Sequence, residues 1–134
     1  MKRKSFMFSI FAIVIFFIAS VSTVAWYIKT GRIYELSDFS FHASRVQQIF
    51  CNLKQGHFFT FIATNVFQQT GVATFLFYPS TYLYIWAFLL FHFSYINAFY
   101  IWYALITFVA FLVSYFSMLS FSKNDFRSLV FAFI

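Results

Sequence analysis

Residues 5–28 read SFMFSIFAIVIFFIASVSTVAWYI, with no charged side chain among them. A helix of this length rises about 36 Å and crosses roughly 30 Å of hydrocarbon. Trp26 and Tyr27 close the run, where amphipathic rings suit the headgroup layer. Lys2, Arg3 and Lys4 precede it, and basic residues before a first span keep the amino terminus in the cytoplasm. Lys29 and Arg32, just beyond the run, oppose that bias in part. A cleaved signal peptide is the rival reading, with Thr23-Val24-Ala25 as a small-residue cleavage site. Its apolar core would exceed the usual ~7–15 residues, so an uncleaved anchor is expected.

Three more apolar runs follow, at residues 75–93, 97–119 and 128–134. Charged residues make up 9% of the 134, against about 25% in a soluble domain. Such a chain cannot clothe a water-facing surface. The expected fold is an all-α, multi-pass integral membrane domain of the cell membrane, with three complete transmembrane helices and the start of a fourth. Residues 29–74 and 120–127 are then outer loops. Pro79 suits a helix first turn, where its missing N–H has no partner to lose. Residues 94–97 are expected to form a tight turn. The last seven residues rise only about 10 Å, so the chain is expected to be the amino-terminal part of a longer protein.

The net charge of +6 sits largely beside apolar runs, and no basic stripe alternates with aromatics in a polar setting, so nucleic acid is not an expected partner. Cys51 is the only cysteine, which excludes an intrachain disulfide and a cysteine metal cluster. No Asn is followed two places on by Ser or Thr, so there is no N-glycosylation acceptor. The 25 phenylalanines carry no functional meaning of their own.

The scarce ionisable groups gather in residues 38–55. At roughly 100° per residue, Phe39, Ala43, Val46, Ile49, Phe50 and Leu53 share an apolar arc. Ser40, Ser44, Gln47, Gln48, Lys54 and Gln55 lie opposite. The spacing predicts an interfacial amphipathic helix in the first outer loop, ended by Gly56, with its apolar arc in the acyl boundary. Asp38, His42, Arg45 and Asn52 cluster at the border of that arc, level with lipid headgroups. Arg45 can fork onto phosphate oxygens. His42 can give or take a proton near neutral pH. Asp38 can act as a base or hold a divalent cation. A plainer reading stands beside this one. Asp38 can be an N-cap, His42 an interfacial polar group, and Arg45 a lipid contact or the partner of Glu35.

Two patterns here, Asp-x-x-Phe-His-x-x-Arg (Asp38, Phe41, His42, Arg45) and Phe-Tyr-Pro (Phe77, Tyr78, Pro79), occur at a matching separation in another setting. DFSFHASRVQQIFCNLKQGHFF followed by GVATFLFYPSTYLYIWAFLL resembles the amino-terminal region of bacterial polytopic membrane proteins of the glycosyltransferase C superfamily. The resemblance implies sugar transfer from a polyprenyl-phosphate-linked donor at the outer membrane face, with membrane lipid and lipid-linked donor as partners. It implies Asp38 as the catalytic acidic residue, with His42 and Arg45 on the substrate side. Asp125, in the expected second outer loop, matches a further acidic position. There is no paired Asp-x-Asp, so a divalent cation remains an open expectation. The alternatives are a non-enzymatic lipid or polymer transport component and an inactive gene fragment. Residues 1–134 alone are expected not to catalyse, and no oligomeric state is assigned.

Overall fold

The structure, a computed structural model, describes residues 2–32, 38–64 and 71–134. Among the described residues the chain is all-helical: α1 (Lys2–Thr30), α2 (Phe39–Lys54), α3 (Thr74–Phe77), α4 (Thr81–Leu89), α5 (Tyr95–Ser122) and α6 (Asp125–Phe131). Glu35, the proposed partner of Arg45, lies outside the described residues.

Two helical stretches, Phe6–Thr30 and Tyr95–Ser122, are long and apolar enough to cross a membrane. A core helix of a water-soluble fold hides its apolar side chains. The most apolar window of α5 has only 6% of its length buried inside the fold. Phe6, Phe17 and Val113 are each more than half exposed.

The expectation of a spanning helix at residues 75–93 is corrected. Pro79 clashes with a helical residue before it, so Tyr78 is extended (φ −117°, ψ 128°) and α3 stops. Ser80 occupies the N-cap position, so α4 begins two residues after Pro79 and runs for nine residues. That is about 14 Å of rise, half a bilayer. The turn expected at 94–97 falls earlier, at 90–94, and α5 starts at Tyr95. The run expected to open a fourth span at residue 128 is instead a seven-residue helix that starts at Asp125.

The chain divides into two compact units, one of Met1–Thr30 with Tyr103–Ile134, the other of Gly31–Trp102. In the first, α1 and the body of α5 run antiparallel. Ser9 meets Tyr115 at 3.2 Å between hydroxyls, Phe16 stacks on Phe111 at 5.4 Å, and Tyr27 meets Tyr103 at 5.5 Å. Phe16 and Tyr115 are fully buried, and Phe133 closes over Phe16 at 5.6 Å. Ser20, Thr23 and Thr107 fold their hydroxyls onto the carbonyls of Phe16, Ala19 and Tyr103, four residues back. That hides polar groups on an apolar helix without a tertiary partner. Lys123 turns the corner after α5 in a left-handed conformation (φ 51°), and Asn124 caps α6 by accepting from the Arg127 N–H at 3.0 Å.

In the second unit α2 packs on α4. Val46 and Ile49 face Leu83, Trp86 and Ala87 in a core where all five are fully buried. Trp86 lies 4.8 Å from Phe99 and 5.1 Å from Trp102, ring to ring, and Phe39 meets Phe99 at 5.0 Å. The amphipathic helix is therefore present within a residue of its expected bounds, but the centre of its apolar arc, Val46 and Ile49, is covered by protein, with Phe39, Ala43, Phe50 and Leu53 part-exposed around it. Gly56, at φ 81°, ends it: the Gly56 N–H bonds the Leu53 carbonyl and the His57 N–H reaches back to that of Asn52 at 2.9 Å.

Candidate functional site

The site begins with the break at Pro79. An extended Tyr78 followed by a proline leaves two carbonyls, those of Tyr78 and Pro79, outside any helical ladder. Arg45 takes both, its Nη2 donating to the Tyr78 oxygen at 2.8 Å and to the Pro79 oxygen at 3.1 Å. The guanidinium also lies over the rings of Phe75, Phe41 and Tyr78, at 5.1, 5.5 and 5.8 Å from their centroids. Arg45 is only 1% exposed. A buried cation costs several kcal/mol unless its charge is met. Here carbonyl dipoles and three ring faces meet it, through charge-assisted hydrogen bonds and cation–π attraction.

The Arg45 fork expected to grip phosphate is thus turned onto the chain's own backbone. It joins the two sequence patterns physically. Phe41 and Arg45 of the first touch Tyr78 and Pro79 of the second, with the Phe41 and Tyr78 rings 5.3 Å apart. One turn up α2, His42 turns Nδ1 toward Arg45 Nη1 at 3.3 Å. Its ring lies 6.3 Å from Tyr82 on α4. Partial burial, and then the Arg45 charge, hold the His42 pKa below the ordinary imidazole value, while Asp38 pulls it back upward.

Asp38 occupies the N-cap position of α2, yet its carboxylate makes no capping hydrogen bond and is exposed. The plain capping role does not describe it. Asp38, His42 and Arg45 are therefore brought together on the first two turns of one helix.

Asp125 belongs to the other unit. It sits in the first turn of α6, where a carboxylate favours the helix dipole, and accepts from the Tyr115 hydroxyl at 3.5 Å. Among the described residues no three His, Cys, Asp or Glu side chains gather in one place.

A buried polar chain beside the site has no counterpart in the sequence reading. Gln48, placed on the solvent side by the helical wheel, is 2% exposed. It donates to Asn52 at 3.0 Å and to Thr64 at 3.1 Å. Asn52 donates in turn to Thr60 at 2.9 Å, and the Tyr84 hydroxyl on α4 donates to the Phe58 carbonyl at 2.9 Å. These bonds fasten the segment after Gly56 to α2 and α4. The antiparallel bridge of Ala63 with Val72 closes its far end. The border position of Asn52 on the wheel was the one available signal. The carbonyls of Tyr78 and Pro79 could have been anticipated from the proline alone.

No family model, curated protein or solved structure matches the chain.

Proposed function

We propose that the chain serves in a membrane-embedded sugar transferase whose donor is a sugar carried on a polyprenyl phosphate, with Asp38 as the general base. The observation that carries this reading is the contrast at the head of α2. Arg45 is spent on locking the helix to the Tyr78–Pro79 turn, while the Asp38 carboxylate is exposed and makes no hydrogen bond among the described residues. A carboxylate held at the end of a fixed helix is positioned for chemistry rather than for capping.

In this reading the acceptor hydroxyl gives its proton to Asp38 as its oxygen bonds to the anomeric carbon of the sugar. The bond from that carbon to the phosphate oxygen breaks, and the polyprenyl phosphate leaves with the electron pair. Arg45 serves by holding the helix, and His42 lies beside the base.

The two long apolar helices of the first unit support a membrane placement. We place α1 and α5 across the bilayer as two antiparallel crossings, which return the chain to the side it left. Lys2, Arg3, Lys4, Lys123 and Arg127 then share one side, five of the nine basic residues, and the positive-inside bias makes it the cytoplasm. Asp38 lies in the segment between the crossings, on the outer face. Asp125 comes to the cytoplasmic side and leaves the mechanism, in place of the second outer loop expected from three spans. With Val46 and Ile49 of α2 covered, contact with acyl chains falls chiefly to Phe58, Phe59, Phe61 and Ile62, each at least half exposed.

The test is the pool of lipid-linked donor in cells that express the protein from its own gene. Asp38→Asn is expected to leave membrane insertion intact and to let unused polyprenyl-phosphate sugar accumulate. A donor pool unchanged by Asp38→Asn sinks the proposal.

A further inference from the structure

The contact between Arg45 and His42 carries more than a structural clamp. A guanidinium has five N–H donors and no acceptor, and it stays protonated in proteins. At 3.3 Å from Arg45 Nη1, the Nδ1 atom of His42 can join a hydrogen bond only as the acceptor. A neutral imidazole with a lone pair on Nδ1 keeps its proton on Nε2. An imidazolium would set two donors against each other there. Among the described residues Nε2 makes no hydrogen bond, and the residue is half-buried rather than enclosed.

We infer that Arg45 is a positioning residue that fixes His42 as the neutral Nε2–H tautomer, so that beside the Asp38 carboxylate the helix presents a neutral N–H donor. The two neighbours then have different duties: Asp38 can receive a proton, and His42 Nε2–H can donate a hydrogen bond to an oxygen that gains charge, such as the leaving phosphate ester. The use of the donor rests on the sugar-transfer reading; the tautomer rests on geometry alone.

Several groups surround the ring. On α2 these are the Asp38 carboxylate, the Arg45 guanidinium and the Phe41 ring, 5.2 Å away. From α4 comes the Tyr82 ring, and Tyr78 lies beyond Phe41. Arg45 is the one among them that is held rigidly, by two carbonyls. Its side chain cannot swing away to accommodate an imidazolium without abandoning those bonds. This agrees with the lowered His42 pKa.

The experiment is a 15N spectrum of the histidine-labelled chain in micelles, with His57→Gln and His92→Gln leaving His42 as the sole imidazole. At pH 6.5 the expected spectrum has a pyridine-type signal at Nδ1 and a pyrrole-type signal at Nε2, with a titration midpoint below the ordinary imidazole range. A predominant Nδ1–H tautomer or imidazolium at that pH overturns the inference. In Arg45→Met the tautomers are expected to mix and the midpoint to rise. If that variant folds, by its helical circular dichroism, and keeps the Nε2–H tautomer unchanged, Arg45 is not what positions it. If it does not fold, the spectrum of the chain with Arg45 in place decides the matter alone. Because the measurement uses no donor or acceptor, it stands or falls apart from the donor-pool test of Asp38.

Discussion

The two units treat polarity in opposite ways. In the unit of α1, the body of α5 and α6, the buried residues are Ala12, Phe16, Ser20, Val24, Tyr115, Ser128 and Ala132, and the two serines bond within six positions of sequence. In the unit of α2 and α4, a guanidinium, a glutamine and a threonine are buried together and bonded across 8 to 34 positions of sequence. The first kind of interior tolerates lipid on its outside, because its long-range polar contacts converge on one hydroxyl, that of Tyr115 with Ser9 and Asp125. The second specifies one arrangement, since each buried polar group fails if its partner moves. The buried polar groups of the second unit are gathered along α2 and the segments packed on it.

The sharpest break in this contrast is expected from the ring cores. Trp86→Ala removes a fully buried side chain and is expected to cost about 3–5 kcal/mol, read as faster hydrogen exchange across α2 and α4. Phe16→Ala in lipid is expected to cost less, because acyl chains fill space between helices without the loss of a hydrophobic driving force. Equal costs in the two units, measured in the same bilayer, would erase the distinction.

Next comes Arg45→Met. It keeps most of the side-chain volume but leaves the Tyr78 and Pro79 carbonyls without their donor, at about 3 kcal/mol. Exchange at α2 amides is expected to rise while α1 amides are unchanged. No change at α2 would mean that the clamp contributes nothing.

Acid is expected to act in the same place and more gently. The folded His42 pKa lies below its unfolded value, so neutral His42 stabilises the fold fully above the unfolded pKa, near 6.5. That contribution is lost as pH falls through 6.5 toward the folded value. Protection of α2 amides, taken relative to the intrinsic exchange rate at each pH, is expected to fall between pH 7 and 5, and Arg45→Met to blunt the effect. A second unit that grows more stable on acidification contradicts the sign.

The smallest effect is expected at Ser20→Ala, within about 0.5 kcal/mol, because the hydroxyl bonds only the Phe16 carbonyl of its own helix. A large loss there would reveal a partner for α1.

Legibility from sequence followed the same division. The apolar runs at 5–28 and 97–119 declared their helices because length and hydrophobicity alone decide them. Residues 75–93 had the same hydrophobicity, and Pro79 was read as a helix opener. It acts as a divider, because the constraint falls on Tyr78 as much as on Pro79 itself. On α2 the wheel placed Val46 and Ile49 on the apolar side, but against acyl chains rather than against α4. It missed Gln48, since a periodicity of hydrophobicity cannot register a polar side chain whose partner, Thr64, lies on a distant loop. Arg45 was singled out for its chemistry, and nothing local indicated that carbonyls more than thirty residues away would claim it. Asp38, His42 and Arg45 were legible as a group because one helix sets their spacing. Asp125 was grouped with them on a loop count that the short α4 alters.

The central claim is that Asp38 is the base of a sugar transfer at the membrane surface. Its most direct test is sugar transfer from a polyprenyl-phosphate donor in membranes carrying the protein from its own gene, compared between the native protein and Asp38→Asn. The account predicts a fall of about 10²-fold or more, the scale of a lost general base, with α2 exchange unchanged. Transfer at the native rate in Asp38→Asn would contradict it.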